Sequence, residues 1–193
     1  PMRCTLANGV SAALFYAGIT VDEMTCRFAL DDCETADQAL AIVRRYGSLE
    51  FRYDVKGAGK QTVAERMSEE LGLIGRHGLA GFFLIYYDLV KMAREVMIEL
   101  GLSEPEIPLE ERPPGRGRGS SVAMLVGYLI GLSHIDPLEF NLSLERFLND
   151  EMGAVPDIDL DFPRDIREEL IKRVHAKWGW DRAVLTGMIS TYK

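Results

Sequence analysis

The chain has 193 residues, a formal net charge of −8, and 47% hydrophobic and 27% charged residues. This length is enough for one domain with a sizeable core, or for one domain and part of a neighbour, and the composition is ordinary for a globular protein. The acidic balance argues against a free-standing surface that binds DNA non-specifically, because such a surface is normally basic.

Residues 1–60 have the weakest pattern and are predicted as an N-terminal segment that leads into, or forms part of, the domain that follows. The apolar run at 10–16 fits a strand or a short helix, residues 36–46 have helical spacing, and residues 49–55 alternate as in a strand. Residues 56–60 (KGAGK) predict a turn or a linker.

Residues 61–193 are predicted to form the main domain. Apolar residues at helical spacing predict a helix over 63–74, and a longer, largely buried helix is expected over 82–100. Residues 101–119 contain four prolines and are predicted as a loop. A second buried helix is expected over 122–132.

The last third of the chain predicts a turn, a short segment, a helix and a strand. Asp136-Pro137 is typical of a turn, and residues 144–148 form the short segment. After Pro163, apolar residues recur every fourth position and predict an amphipathic helix with a charged outer face. Residues 183–189 are expected to be a strand.

An acidic string precedes that helix. Asp157, Asp159 and Asp161 alternate with apolar residues, so a strand would point all three carboxylates to one face. Neighbouring aspartates would then be roughly 7 Å apart along the backbone. Three like charges on one face repel one another unless a cation is shared, and Mg²⁺ takes such oxygen ligands while keeping waters and binding phosphates.

Two other interpretations of the acidic string remain open. It could be a solvated edge strand whose acidic residues bind nothing. It could also begin a calcium-binding loop of the D-x-D-x-D type, but Phe162 occupies the position where such a loop needs glycine.

A glycine- and arginine-rich loop precedes the expected second buried helix. Glycines at 115, 117 and 119 allow close approach of a ligand to the backbone, and Arg116 and Arg118 offer paired donors for phosphate oxygens. Ser120 or Ser121 could cap the helix that follows, whose first amides would then favour an anion. The alternative is a flexible connector. The spacing matches neither the P-loop nor the dinucleotide-binding fingerprint.

Together, the phosphate-binding loop and the aspartate strand are the minimum for metal-dependent nucleotidyl transfer. In such a reaction one metal activates the attacking hydroxyl, and the other holds the triphosphate and its leaving group.

Four segments occur in a defined order: Gly117-Arg118-Gly119-Ser120, Asp136-Pro137-Leu138, residues 144–148 (LERFL) and residues 156–162 (PDIDLDF). In this order they resemble the palm of the bacterial DNA polymerase III alpha subunit, the C-family of replicative and error-prone polymerases. The resemblance covers residues 61–190 and includes the glycine-aromatic segment at 81–85.

The resemblance implies an α+β fold, namely a polymerase-β-like nucleotidyltransferase palm with a mixed sheet and packed helices. Residues 61–193 would form the core of this palm, and residues 1–60 would lead into it or form part of it. It implies template-directed DNA synthesis with Mg²⁺ at a two-metal site in the full-length parent. Primer–template DNA, deoxynucleoside triphosphates and other replisome subunits would be the partners.

The resemblance also assigns site residues. Asp157 and Asp159 match the first two metal-binding, catalytic aspartates, and Gly119 and Ser120 match the pair that holds the triphosphate. Arg118 and Arg146 match basic positions near the triphosphate, whereas Asp161 matches an acidic position with no assigned role. The third catalytic aspartate of the family lies beyond this sequence, so the isolated chain is expected to be inactive.

Two other functions are weighed against the polymerase. The first is a non-catalytic module that binds a nucleotide or a protein on the same fold, and the second is a nucleotidyltransferase that acts on a small molecule. A further aspartate-bearing strand and a basic helical region downstream would favour the polymerase.

The location is predicted to be cytoplasmic. Cys4, Cys26 and Cys33 have no metal-binding spacing and are interpreted as reduced thiols. The longest uncharged apolar stretch, 122–132, is too short to cross a bilayer, and no signal peptide is recognised.

Overall fold

The structure is a computed structural model that describes residues 4–6, 18–29, 53–55, 59–61, 63–107, 112–153 and 155–186. The elements predicted at 10–16 and 36–46 lie outside the described residues, as do parts of those at 49–55 and 183–189. The described side chains do not include those of the three cysteines, so their reduced state stays a prediction.

Helix α1 spans Val21–Ala29 and was not predicted. Its start carries a capping box: the Glu23 N–H donates to the Thr20 hydroxyl oxygen at 3.2 Å, and the Thr20 N–H donates to the Glu23 carboxylate at 2.8 Å. The sequence T-x-x-E is the signal that could have located this helix start.

Helices α2 (Val63–Arg76) and α3 (Ala80–Glu99) confirm the two predicted helices. The apolar residues of α2 recur at helical spacing and are buried, and Gly78, at φ +63°, follows the end of the helix in the left-handed conformation. Ten of the twenty residues of α3 are buried, which confirms that this helix crosses the core.

The predicted helix over 122–132 is wrong in its extent. A five-residue 3₁₀ turn, Gly119–Ala123, is followed by a short helix, α4 (Leu125–Leu129). Met124 between them is extended (φ −92°, ψ 129°), and this interrupts the helical hydrogen-bond ladder. The apolar character of the segment reflects its burial in the core, not one continuous helix.

Helix α5 (Arg167–Trp178) confirms the amphipathic helix after Pro163, and a 3₁₀ turn at Arg164–Ile166 leads into it. The short segment predicted at 144–148 contains a 3₁₀ turn at Leu144–Arg146. The turn at Asp136-Pro137 is confirmed, since the Asp136 carboxylate accepts the Leu138 N–H at 2.8 Å.

The strands form antiparallel pairs. Strand β1 (Cys4–Leu6) pairs with β6 (Ala183–Leu185), β2 (Tyr53–Val55) pairs with β3 (Gly59–Gln61), and β4 (Arg116–Arg118) pairs with β5 (Asp159–Asp161). Residues 59 and 60, which were predicted as the end of a turn or a linker, therefore lie in strand β3. Within the described residues the sheets are all two-stranded and antiparallel, so the expected mixed sheet is not seen there, whereas the combination of helices and small sheets agrees with the α+β class.

Two groups of buried apolar residues form the core. The first cluster consists of Met24, Val63, Met67, Leu73, Ile74, Leu79, Ala80, Phe82, Phe83, Leu84, Val90, Met124, Leu125, Val126, Ile130, Leu132, Leu138, Leu144, Phe147, Leu148 and Ile158. The second cluster consists of Ile85, Met92, Ala93, Val96, Ile166, Leu170, Val174, Trp178 and Ala183. Helix α3 contributes residues to both clusters. It therefore connects the first cluster, which includes residues of α4, to the second cluster, which includes residues of α5.

Candidate functional site

The glycine-arginine loop and the acidic string each contain a strand, and these two strands are neighbours. In the β4–β5 pair, Arg118 lies opposite Asp159 and Arg116 lies opposite Asp161. Directly paired residues in an antiparallel ladder have Cα atoms about 4.5–5.5 Å apart. The structure therefore brings the glycine-arginine loop and the acidic strand together.

The acidic strand has the predicted alternation. Ile158 is buried in the first cluster, Leu160 packs against the same cluster, and Phe162 packs against the second. Asp157 and Asp161 are exposed and Asp159 is partly buried, as expected for the opposite side. One correction is needed: Asp157 precedes the strand, which begins at Asp159, because β4 provides only three residues for pairing.

Tyr86 lies beside the aspartates and was not predicted as a site residue. It projects from α3, packs against the first cluster and approaches the Phe82 ring at 4.9 Å between ring centroids. Burial of the phenol and the nearby charges of Asp157 and Asp159 raise the pKa of Tyr86 to about 12, although the backbone of Ile158 acts in the opposite direction. Tyr86 is therefore a neutral phenol close to both aspartates.

Arg118 forms an ion pair with Asp161, which lies diagonally across the ladder. Its Nε atom lies 2.7 Å from a carboxylate oxygen of Asp161, and both side chains are 46% exposed. Asp161 is thus a partner of the predicted phosphate-binding arginine.

Gly117 and Gly119 of the loop are each favoured as glycine for a different structural reason. A Cβ atom on Gly117 would lie 2.5 Å from the carbonyl oxygen of Leu132, and the Gly117 N–H donates to that same oxygen at 2.7 Å. Gly119 has φ +74°, a conformation that favours glycine, and a Cβ there would meet no neighbour. Gly117 is needed for close packing and Gly119 for the turn into the 3₁₀ segment.

The two serines differ in exposure. Ser120 is exposed at the start of the 3₁₀ turn, whereas Ser121 is buried and its hydroxyl donates to the Arg118 carbonyl at 2.8 Å. Neither serine caps α4, so that prediction is wrong. The α4 amides of Leu125 and Val126 instead donate to the carboxylate of Glu70, both at 2.8 Å.

Glu70 is paired with Arg66 one helical turn earlier on α2, and this pair was also missed. The Arg66 Nε atom lies 2.6 Å from the Glu70 carboxylate, and the side chains are only 2% and 0% exposed. Burial raises the pKa of Glu70, while Arg66 and the two backbone N–H donors act in the opposite direction. A glutamate between Met67 and Ile74 on the apolar face of α2 was the signal that could have identified it.

Arg146 is the site residue that the structure does not bring into contact with the rest. It is exposed at the end of a 3₁₀ turn, and among the described residues no hydrogen bond or ion pair joins it to the loop or the acidic strand. Partial desolvation of the His134 ring and the charge of Arg116 lower the pKa of His134.

The acidic side chains fit a hard divalent cation. Exposed Asp157 and partly buried Asp159 supply carboxylate oxygens on the polar side of the strand. Over the part of the chain that the structure describes, no group of three or more His, Cys, Asp and Glu side chains could hold a metal ion. Two carboxylates suit Mg²⁺, which is usually bound through one or two carboxylates together with water and substrate phosphates.

Among the described helices, none combines the length and apolar character that a membrane crossing requires.

Comparison with known proteins gives one family. The family model of the bacterial DNA polymerase III alpha NTPase domain matches residues 41–193, which contain both the loop and the acidic strand.

The chain is similar to curated proteins of two kinds, DNA polymerase III alpha subunits and error-prone DNA polymerases. The chain is 42% identical over 119 residues to the DNA polymerase III subunit alpha of Halalkalibacterium halodurans, covering 62% of this chain and 9% of the relative. It is 32% identical over 162 residues to the error-prone DNA polymerase of Anaeromyxobacter dehalogenans, covering 84% and 13%. It is 38% identical over 128 residues to the DNA polymerase III subunit alpha of Aquifex aeolicus, covering 65% and 10%. The chain thus spans about a tenth of the length of these relatives.

Proposed function

Because the chain belongs to the bacterial DNA polymerase III alpha NTPase domain family, we propose that it is the part of a DNA polymerase palm that binds the incoming deoxynucleoside triphosphate and the catalytic metal ions. The observation that carries this proposal is the β4–β5 register, which places Arg118 opposite Asp159. A phosphate-binding loop and metal-binding carboxylates must be adjacent if one metal is to contact the triphosphate.

The loop residues Arg118, Gly119 and Ser120 would bind the triphosphate. The Nε atom of Arg118 contacts Asp161. The terminal nitrogens of the guanidinium would donate to phosphate oxygens. The exposed Ser120 hydroxyl and the first amides of the 3₁₀ turn add donors on the same segment. The α4 amides of Leu125 and Val126 are excluded from this role because they already bind Glu70.

The carboxylates of Asp157 and Asp159 would hold Mg²⁺. When bound, Mg²⁺ supplies the charge that activates the primer hydroxyl and stabilises the triphosphate and its leaving group. Tyr86 lies beside both aspartates, whose charges contribute to the rise in its pKa. Arg146 is retained in the proposal as a basic residue near the triphosphate on the family resemblance alone.

The palm itself is part of the proposal. A polymerase-β-like nucleotidyltransferase palm with residues 61–193 as its core, and 1–60 leading into it or forming part of it, agrees with the α+β character of the described residues. The full-length parent would synthesise DNA on a primer–template with other replisome subunits as partners. The isolated chain is proposed to lack activity, because the resemblance places a third catalytic aspartate outside it.

Calorimetric titration of the chain with Mg²⁺ and a deoxynucleoside triphosphate tests the site. Weaker triphosphate binding is expected in both Ser120→Ala and Asp159→Asn, since the first removes a phosphate donor and the second a metal ligand. Glu95→Gln is the matched control: it removes an exposed charge on α3, nine residues beyond Tyr86 and therefore about 13 Å farther along the helix.

Primer extension by the full-length parent tests the activity. Asp159→Ala is expected to abolish extension, and extension at the wild-type rate would overturn the catalytic assignment. If the parent binds the triphosphate but never extends a primer, the non-catalytic module becomes the better explanation.

A further inference from the structure

A buried ion pair on α2 lies beneath the loop of the proposed site. Arg66 and Glu70 are 2% and 0% exposed, their contact is 2.6 Å, and the mechanism proposed above uses neither residue. Buried charges are costly to desolvate, and an apolar pair of similar volume is often equally stable or more stable. Stability by itself is therefore a weak reason for this pair.

The pair contacts the backbone on both sides of the interruption between the 3₁₀ turn and α4. Arg66 Nη2 donates to the Ala123 carbonyl at 2.7 Å, where the 3₁₀ turn ends. The Glu70 carboxylate accepts the Leu125 and Val126 N–H groups at 2.8 Å each, where α4 begins. Met124, between these contacts, is extended and 1% exposed, so the pair determines how the turn and the helix join.

Neither of the joined elements is long enough to hold its own position. The 3₁₀ turn and α4 have five residues each, and helical segments of that length are unstable without tertiary contacts. At the other end, the Gly117 N–H is bonded to the Leu132 carbonyl at 2.7 Å. The loop that carries Arg118, Gly119 and Ser120 is thus held at one end by Gly117 and at the other by Arg66 and Glu70.

We infer that Arg66 and Glu70 are positioning residues for the triphosphate loop, acting through the backbone at 123–126 and without touching the nucleotide. This inference rests on the proposed function. The acidic strand pairs with β4, which precedes the backbone at 123–126 that the ion pair contacts, so loss of the pair displaces the phosphate donors more than the metal ligands.

The direct test is Glu70→Gln in the full-length polymerase. Glutamine keeps the size of the side chain but has one acceptor oxygen, so it cannot satisfy Leu125, Val126 and Arg66 as the carboxylate does. We expect faster hydrogen exchange at the amides of 125 and 126. We also expect the KM for the incoming nucleotide to rise about tenfold with kcat changed less than about threefold, because uniform binding is what is lost.

Arg76→Gln is the matched control, because it removes another ion pair of α2, the exposed contact of Arg76 with Asp150 at 2.8 Å. It is expected to change neither the exchange rate at 125–126 nor the KM. Arg66→Lys is the second variant if Glu70→Gln does not fold. Lysine keeps a cation beside Glu70 but loses the planar fork that reaches Ala123, so a smaller rise in KM is expected.

Ser120→Ala, measured in parallel, separates the two levels of inference. If Ser120→Ala raises the KM while Glu70→Gln and Arg66→Lys accelerate exchange and leave the KM at the wild-type value, the positioning role is overturned and the proposed function stands. If Ser120→Ala also leaves the KM unchanged, the proposed triphosphate loop itself is wrong, and the inference falls with it.

Discussion

At the scale of single residues, Asp161 is distinguished by its ion pair with Arg118. Arg118 lies opposite Asp159 in the strand register, yet its Nε atom binds Asp161 at 2.7 Å. Alternation places both carboxylates on the same side of β5, and the arginine reaches diagonally across the ladder to the second one. Asp161 is therefore expected to orient the arginine and not to bind the metal.

Substitution Asp161→Asn tests this role. The half-exposed ion pair contributes under about 1 kcal/mol to folding, so stability should change little. The KM for the incoming nucleotide should rise about threefold to tenfold, because the guanidinium loses a charged partner that orients it. Steady-state single-nucleotide insertion measures the KM, and titration with Mg²⁺ measures the metal site. A large loss of Mg²⁺ affinity would make Asp161 a metal ligand instead.

At the scale of elements, helix α5 is attached to α3 by both apolar packing and charge. Arg173 of α5 donates to Glu99 at the end of α3 and to Glu169 one turn earlier on its own helix. The hydrogen bond from Arg173 is the main cause that lowers the pKa of Glu99 below 4.5. These are surface contacts, and they adjust the docking of α5 without determining it.

The link between α3 and α5 predicts a pH dependence. A carboxyl whose pKa is lowered in the folded state stabilises the fold above its unfolded pKa, and this contribution is lost as the pH falls through the folded pKa. Arg173→Gln should therefore lower the melting temperature slightly at pH 7, and the difference from the wild type should shrink as the pH falls below 4.5. Thermal unfolding across this range checks the prediction, with exposed Arg164→Gln as the control. A difference that grows on acidification would contradict it.

At the scale of the molecule, α3 joins the two core clusters. Leu84 and Ile85 are adjacent in sequence but belong to the first and second cluster, with exposures of 1% and 2%. The acidic strand is shared in the same way, since Leu160 packs against the first cluster and Phe162 against the second. A structure connected in this manner should unfold as one unit.

Leu84→Ala and Ile85→Ala test this cooperativity. Each should lower the free energy of unfolding by about 2–5 kcal/mol, because each leaves a cavity in a buried cluster. Denaturant unfolding followed by circular dichroism and by tryptophan fluorescence should give coincident single transitions for both variants. Leu100→Ala, at a position that is 52% exposed, serves as the control and should have little effect. Separate transitions for Ile85→Ala would show that the two clusters fold independently.

The sequence by itself determined three of the helices and the family of the chain, whereas the chemistry of the motifs stays a prediction. Helices α2, α3 and α5 follow from apolar residues at helical spacing, since a buried face needs that period. The alternation of Asp157, Ile158 and Asp159 predicted which side chains face the core. The order of the glycine-arginine loop and the acidic string was enough to indicate the polymerase III alpha family.

Only the tertiary structure decided how these parts are held. The pairing of β4 with β5, the Arg118–Asp161 contact and the capping of α4 by Glu70 all join residues that are distant in the chain. Local periodicity carries no information about which distant donor meets which acceptor. For the same reason the segment at 122–132 looked like one helix: its apolar pattern records burial, whereas the break at Met124 is stabilised by Arg66 and Glu70 from α2.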